Sequence, residues 1–387
     1  MQRSTDRIIT THVGSLARPV ALLDVMKAKE NDQPYDPAEF DRLVTEAVAD
    51  RVAHQVDCGI DVVTDGEMSK VSFLGYVKDR LGGYEFDTTG FRRMAPSWQA
   101  EVDMFPEYYE EYFKKYSSAV SPLRRLAATG PITYTGQELL QKDIANLKAA
   151  VAQHGDKVTE VFMPSTGPSG FGRNAFYDSQ REYLEAVGEA MRVEYLGIVD
   201  AGFVLQVDDP FLIDTLCDPS KSWDERTADA NEHIDAMNHA LRGIPEDRIR
   251  HHTCYGLNHG PRLTDMDLKD IVPFMLRVNA GAYSFEVANP RHMHEYKVWE
   301  DVKLPEGKIL IPGFIGHANN YVEHHDLIAE YIVRYANIVG RENVIAGADC
   351  GFSSRASYAP EVHPTVVWPK FTALAEGAAL ASHELWS

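Results

Sequence analysis

Apolar positions recur along this chain in two alternating rhythms. Phe40, Leu43, Val44, Ala47, Val48 and Val52 fall on one face of a 3.6-residue repeat and predict an amphipathic helix. Asp36 supplies its N-cap, Pro37 suits its first turn and Glu39 completes a capping box, while Gly59 stops it. A short apolar run follows directly, Ile60-Asp61-Val62-Val63-Thr64, and ends at Asp65-Gly66-Glu67. The same order returns downstream. A helix from about Ser179 ends at Asp200-Ala201-Gly202, and the run Phe203-Val204-Leu205-Gln206-Val207 ends at Asp208-Asp209-Pro210. A further helix ends at Asn279-Ala280-Gly281, and its strand closes at Glu286. Helix, glycine stop, buried strand and a polar group at the strand's C-terminal end form the repeat of a parallel α/β protein.

Eight runs read as strands: 8–13, 60–64, 159–163, 203–207, 249–254, 282–287, 309–315 and 344–349. Eight favours a closed (β/α)8 TIM barrel over an open sheet, with the polar strand ends facing one mouth. One catalytic domain spanning 1–387 is the expected organisation. Two stretches break the alternation. Residues 80–135 read as an insertion after the second strand, containing the aromatic and acidic run Phe105 to Phe113. Its aromatics either cover the mouth or form the packed face of a surface helix. Residues 164–175 make a glycine- and proline-rich loop, Pro164-Ser165-Thr166-Gly167-Pro168-Ser169-Gly170-Phe171-Gly172, without the spacing of a phosphate-binding loop. The stretch from Pro364 reads as a closing helix.

Charge and cysteine content narrow the function. With 38 basic and 58 acidic residues, the formal charge of −20 argues against nucleic acid and anionic membranes as partners. No apolar run reaches bilayer length, and the first residues lack the apolar core of a signal peptide. Four cysteines, Cys58, Cys217, Cys254 and Cys350, do not make a disulfide framework in 387 residues. A cytoplasmic, reducing location is expected, where thiols stay available for metal or chemistry.

The candidate chemistry starts at Arg250-His251-His252-Thr253-Cys254-Tyr255. In a strand, His252 and Cys254 project to the same side, and imidazole with thiolate suits zinc. Glu286 and Cys350 close two other strands and are candidates for the remaining ligands. A buried core histidine beside a buried cysteine is the alternative. His324-His325 reads as surface, and His292-Met293-His294 as a loop without an assigned role.

Six motifs in order carry a resemblance: Thr11-His12-Val13-Gly14-Ser15, Asp65-Gly66-Glu67, Gln206-Val207-Asp208-Asp209-Pro210, His252-Thr253-Cys254-Tyr255, Gly316-His317 and Asp349-Cys350-Gly351. Together they resemble the catalytic barrel of cobalamin-independent methionine synthase over nearly the whole chain. The chain looks like the short, single-barrel branch of that family, which includes epoxyalkane–thiol transferases. The resemblance implies zinc held by His252, Cys254, Glu286 and Cys350, with Glu286 further beyond Cys254 than in the family. It implies a substrate carboxylate held at Ser15 and the backbone around Val13, and an α-amino group held by Glu67 and Asp208. It also implies a proton donor for the leaving group at His317. These assignments agree with elementary chemistry: a thiol near neutral pH is a poor nucleophile until a metal deprotonates it. Paired carboxylates suit an ammonium, and backbone N–H groups suit a carboxylate.

The expected function is zinc-dependent methyl transfer to a thiol, homocysteine to methionine by the family's default. A second reading keeps zinc and changes the partners, using an epoxide or another alkyl donor with a different small thiol. A metal-free decarboxylase on the related uroporphyrinogen decarboxylase barrel would need arginines for several carboxylates, and the His, Cys, Glu, Cys set counts against it. A non-catalytic zinc-binding scaffold is the remaining class.

Overall fold

The computed structural model describes residues 1–87, 95–116, 118–121, 125–170, 172–256 and 260–387. Eight parallel strands form one sheet: β1 (Ile9–Thr10), β2 (Val62–Val63), β3 (Glu160–Thr166), β4 (Val204–Asp208), β5 (Ile249–His252), β6 (Ala282–Phe285), β7 (Ile309–Ile315) and β8 (Ile345–Ala348). Their spatial order is β1-β8-β7-β6-β5-β4-β3-β2, so every strand lies beside its sequence neighbour and β8 returns to β1. A single parallel bridge, Thr11 to Val62, closes the ring. This is the TIM-barrel order expected from eight helix–strand repeats. Ladder pairs are sparse at that seam, and side chains supplement them. The Asp61 carboxylate accepts from Thr10 N at 2.9 Å and from both terminal nitrogens of Arg7 at 2.7 Å.

Inside the ring, Ile9, Val62, Phe162, Val204, Ala282, Ile309, Ile311 and Ile345 pack as one apolar cluster, with Arg250 lying 4.0 Å over the Phe162 ring. A second, larger core joins the outer strand faces to the helices. The helix Pro37–Asp57 begins as its sequence predicts, with Asp36 accepting from Ala38 N at 2.9 Å. The expected capping box does not form, because Glu39 pairs with Arg42 at 2.7 Å. A guanidinium one turn on outcompetes a solvated backbone N–H. The third strand runs past 163 to Thr166. Beyond Val161 it no longer pairs with β2, and on such a free edge Pro164 is tolerated. Ser179 caps the helix Gln180–Asp200, and Pro364–Trp386 forms the closing helix.

The insertion after β2 is an antiparallel pair, Leu81–Phe86 with Leu126–Tyr134, joined through the helices Pro96–Met104 and Pro106–Tyr116. Residues 88–94, 117 and 122–124 of the expected insertion lie outside the described residues, as does Phe171 of the following loop. That loop contributes a strand of its own, Gly172–Asn174, paired to Leu126–Ala128. Gly83 must be glycine: its φ is +86° and a Cβ would sit 2.4 Å from Pro131 O. The aromatic run forms a small core of its own, with Tyr109 fully buried and Trp98 edge-on to Tyr109 and Tyr112. Pro96, Ser97 and Trp98, ahead of that run, line a cavity at the barrel's mouth. Glu194 ties the insertion to the barrel, accepting from Tyr76 at 2.7 Å, Tyr134 at 2.8 Å, Ser165 at 2.8 Å and Arg80 at 2.9 Å. Burial alone would raise this carboxyl. Arg80, Lys70 and the tyrosine hydroxyls outweigh burial and bring it down to about 2.

Candidate active site

A cavity of about 920 Å³ opens at the C-terminal ends of the strands, where the barrel and the insertion meet. His252 ends β5, and Cys254 and Cys350 follow β5 and β8 by two residues. All three are buried, and their ligand atoms lie within 4.8 Å of one another. The two sulfurs are 3.7 Å apart. Two sulfurs at about 2.3 Å from a tetrahedral zinc would stand roughly 3.8 Å apart, so the thiol spacing fits that ion. His252 Nδ1 lies 3.2 Å from Ser284 Oγ, while its Nε2 is buried with no hydrogen-bond partner. Burial, with Arg250 adding to it, lowers the imidazole to about 3 and keeps it neutral. An orphaned imidazole nitrogen aimed at a thiol pair is the donor set of a soft divalent metal. The hydrogen bond with Cys254, burial and the neighbouring charges hold the Cys350 thiol well above its usual range, and a cation would reverse that.

The four expected ligands divide. Glu286, just after β6, groups with His317 and Asp349 within 4.8 Å rather than with the His252 cluster. Its Oε2 is 2.8 Å from Arg262 Nη2, and its Oε1 accepts from Tyr255 N at 3.1 Å. Asp349 Oδ1 accepts from Val287 N at 2.7 Å and Ala288 N at 2.8 Å; burial and the Glu286 charge raise this carboxyl. His317, two residues past β7, is buried in this group and is close enough to His252 to act on it electrostatically.

Val13, Ser15, Glu67 and Asp208 line the same cavity. Glu67 is buried, sits at a φ of +60°, and its Oε2 has no hydrogen-bond partner. Arg18 is 3.8 Å from that oxygen, but its nitrogens bond to four carbonyls, those of Leu16, Glu67, Lys70 and Ser353. Asp208 Oδ1 accepts from Gln206 Nε2 at 2.7 Å. Burial raises both carboxyls, and the Glu67 charge pushes Asp208 further up. Two buried carboxylates under this strain make a receptor for a cationic group. Around Val13 to Ser15 the backbone is held from inside the barrel: Arg250 Nη2 donates to His12 O at 2.5 Å, and Gln206 to Val13 O. Gly351 approaches Ser15 so closely that a Cβ there would lie 2.0 Å from Ser15 Oγ.

Several residues here carry no sequence pattern of their own. Arg262 lies in a loop, and Arg18 and Lys70 are buried cations beside the carboxylates. Arg250 had a signal, since it directly precedes the two histidines of β5. His292, without an assigned role above, is buried between Asp265 at 3.1 Å and Glu295 at 2.8 Å and stacks on Tyr255. Those carboxylates outweigh burial and raise it to about 9. His324 and His325 are surface residues at the start of the helix His325–Val339.

Known proteins with this architecture carry related names. The family described as the catalytic domain of cobalamin-independent synthase matches residues 95–364. A methionine synthase of Sulfolobus acidocaldarius is 25% identical over 349 residues, covering 88% of this chain and 85% of that protein. One from Saccharolobus islandicus is 21% identical over 387 residues, covering 97% and 95%. The structure of a B12-independent methionine synthase from Shewanella sp. W3-18-1, in complex with selenomethionine, superposes with a TM-score of 0.73. It is 18% identical, covers 98% of this chain and 99% of its own, and shares the fold. Among the described residues no helix is long and apolar enough to cross a membrane. With a family match across most of its length, this chain belongs to the cobalamin-independent methionine synthase family, of which it carries the catalytic domain.

Proposed function

We propose that this protein methylates the sulfur of homocysteine to give methionine, using a zinc ion. The observation that carries the reading is the orphaned His252 Nε2 beside thiols 3.7 Å apart, on the same cavity as the Glu67 and Asp208 carboxylates. His252, Cys254 and Cys350 would hold the ion, with Glu286 next to them. Bound there, zinc supplies a thiolate form of the substrate sulfur at neutral pH. The chain's own groups do the rest. Glu67 and Asp208 take the α-ammonium, and Ser15 with the backbone at Val13 takes the carboxylate. This fixes the sulfur at the metal-facing end and puts the methyl donor in the open part of the cavity. Sulfur forms the new S–C bond, and the donor atom keeps the electron pair of the bond that breaks. His317 supplies the proton that this leaving atom needs. The partners are therefore a small amino-acid thiol and a methyl donor, with neither nucleic acid nor membrane involved.

The test is a screen of thiols and methyl donors against zinc-loaded protein, with mass detection of the thioether and zinc-edge spectroscopy of each thiol complex. Homocysteine should enter the metal's ligand shell and be converted. If only a thiol without an amino group enters it, the amino-acid acceptor is wrong.

A further inference from the structure

We propose that Arg250 is a positioning residue for carboxylate recognition, holding the peptide between His12 and Val13 so that its N–H faces the substrate's carboxylate. The inference rests on the amino-acid-thiol reading above and adds to it a buried cation that touches no substrate atom.

Arg250 lies two residues before His252 on β5 and points into the barrel, one side-chain layer deeper than the pocket. Its guanidinium sits on Phe162, a member of the inner apolar cluster. It is buried, its Nε has no hydrogen-bond partner, and Asp208 and Glu160 act on it only as through-space charges. A cation buried without a paired carboxylate is costly to keep. Its terminal nitrogens show what it holds. Nη1 donates to Thr11 Oγ1 at 3.0 Å and Nη2 to His12 O at 2.5 Å. Gln206, beside Arg250 across the β4–β5 ladder, donates to the next carbonyl, that of Val13. Two successive carbonyls of the segment after β1 are thus drawn inward. A trans peptide carries its N–H opposite its carbonyl. Drawing His12 O into the barrel therefore turns Val13 N–H outward, toward the cavity that Val13 lines. The following N–H is used within the segment, since Gly14 N donates to His12 Nδ1 at 3.2 Å. The His12 ring is itself pinned, with Nε2 2.8 Å from Gln55 Oε1. Gly14 has a φ of +136°, and a Cβ there would lie 3.0 Å from Pro164 Cγ, so the segment has little room to turn another way.

Charge points the same way. Glu67 and Asp208 make the pocket negative, which suits an ammonium and repels a carboxylate. A zwitterionic amino acid needs both signs. Arg250 places a positive charge beneath the same pocket and delivers it through a hydrogen-bonded peptide rather than by direct contact, which would leave the ammonium side undisturbed. The guanidinium fork spans Thr11 Oγ1 and His12 O together, a geometry that the single nitrogen of a lysine does not reproduce.

The experiment is calorimetric titration of the zinc-loaded full chain with homocysteine and with 3-aminopropanethiol, its analogue without the carboxylate. Wild type should bind homocysteine the more tightly. Arg250→Met should weaken homocysteine roughly tenfold or more and leave 3-aminopropanethiol within about threefold, with zinc content by elemental analysis unchanged. Arg250→Lys keeps the charge without the fork and should weaken homocysteine about three- to tenfold with the same selectivity. Equal weakening of both thiols overturns the proposal, as does unchanged homocysteine binding in Arg250→Met. Loss of zinc in that variant also overturns it, since a merely structural arginine would act that way. If Arg250→Met does not fold, Arg250→Lys decides alone: an unselective loss, or none, refutes the role. Wild type separates the two readings. If it binds both thiols equally, the carboxylate site around Val13 and Ser15 is wrong, and Arg250 has nothing to position. If it prefers homocysteine and the Arg250 variants keep that preference in full, only the role of Arg250 falls.

Discussion

Replacing Asp208 by asparagine removes one charge from the proposed ammonium site while keeping its shape and its bond to Gln206. Breaking one side of a buried, hydrogen-bonded charge pair costs roughly 2–5 kcal/mol. The structure sets this case near the lower end. Lys70 and Arg250 already act on Asp208, so the pocket is partly neutralised before substrate enters. Glu67 also remains, with its Oε2 free of hydrogen bonds. A loss of about 2–3 kcal/mol corresponds to about 30- to 150-fold weaker homocysteine binding at about 1.4 kcal/mol per tenfold. Zinc content should not change. Calorimetric titration with homocysteine and with 4-mercaptobutyrate, which lacks the ammonium, measures the effect directly. The first should weaken by the stated factor and the second should scarcely move. Stability gives an internal control with a defined sign. Both carboxyls are raised in the fold, so they destabilise the ligand-free protein increasingly as pH rises from their ordinary values through the raised ones. At neutral pH Asp208→Asn should therefore melt no lower than wild type. Equal weakening of both thiols, or less than threefold weakening of homocysteine, would refute the assignment.

His317→Asn should lower kcat by about 10²–10⁴-fold with zinc content and homocysteine affinity kept, as expected for loss of a proton donor; a drop in KM-controlled terms alone would contradict that role. Gly351→Ala forces a carbon to within 2.0 Å of Ser15 Oγ and should raise the homocysteine KM more than it lowers kcat, which steady-state kinetics checks. Glu194, lowered to about 2, contributes on the order of 3 kcal/mol at neutral pH. That contribution is complete above about pH 4.5 and is lost as pH falls toward 2, so Glu194→Gln should lower the melting temperature at pH 7 and flatten its fall in acid. Cys58→Ser and Cys217→Ser should leave bound zinc unchanged by elemental analysis, since neither thiol joins the His252 cluster.

The barrel was legible because its strands are buried on both faces and read as apolar runs, three of them directly preceded by a glycine stop at Gly59, Gly202 or Gly281. Pro164 hid the end of β3, as a proline reads like a breaker until the strand beside it is known to be absent. The grouping of His252, Cys254 and Cys350 was legible from the period-two spacing that runs past the end of β5 and from the cysteine two residues beyond β8. What surrounds Glu286 was not. Its strand end marked it as a site residue, but its actual partner is Arg262, an isolated arginine in an irregular loop. Pairing across a tertiary gap leaves no periodic trace. Glu39 shows the same limit on a smaller scale, where a correct capping motif lost its acid to Arg42.

The single bridge that closes the ring has a consequence for motion. β1 and β2 are two-residue strands, whereas β5, β6 and β7 run in longer continuous ladders. Val13 and Ser15 continue β1, and Glu67 continues β2. Val13 and Ser15, proposed to hold the carboxylate, and Glu67, proposed to hold the ammonium, are therefore mounted on opposite lips of the least-laddered seam, while Asp208 and His252 end strands with longer ladders. Local opening of that seam would spread the grip on the amino acid without disturbing the metal-facing donors. Its amides, from Ile9 to Thr11 and at Val62 and Val63, should exchange with deuterium ahead of those of β5 and β6, and should slow when homocysteine spans the gap.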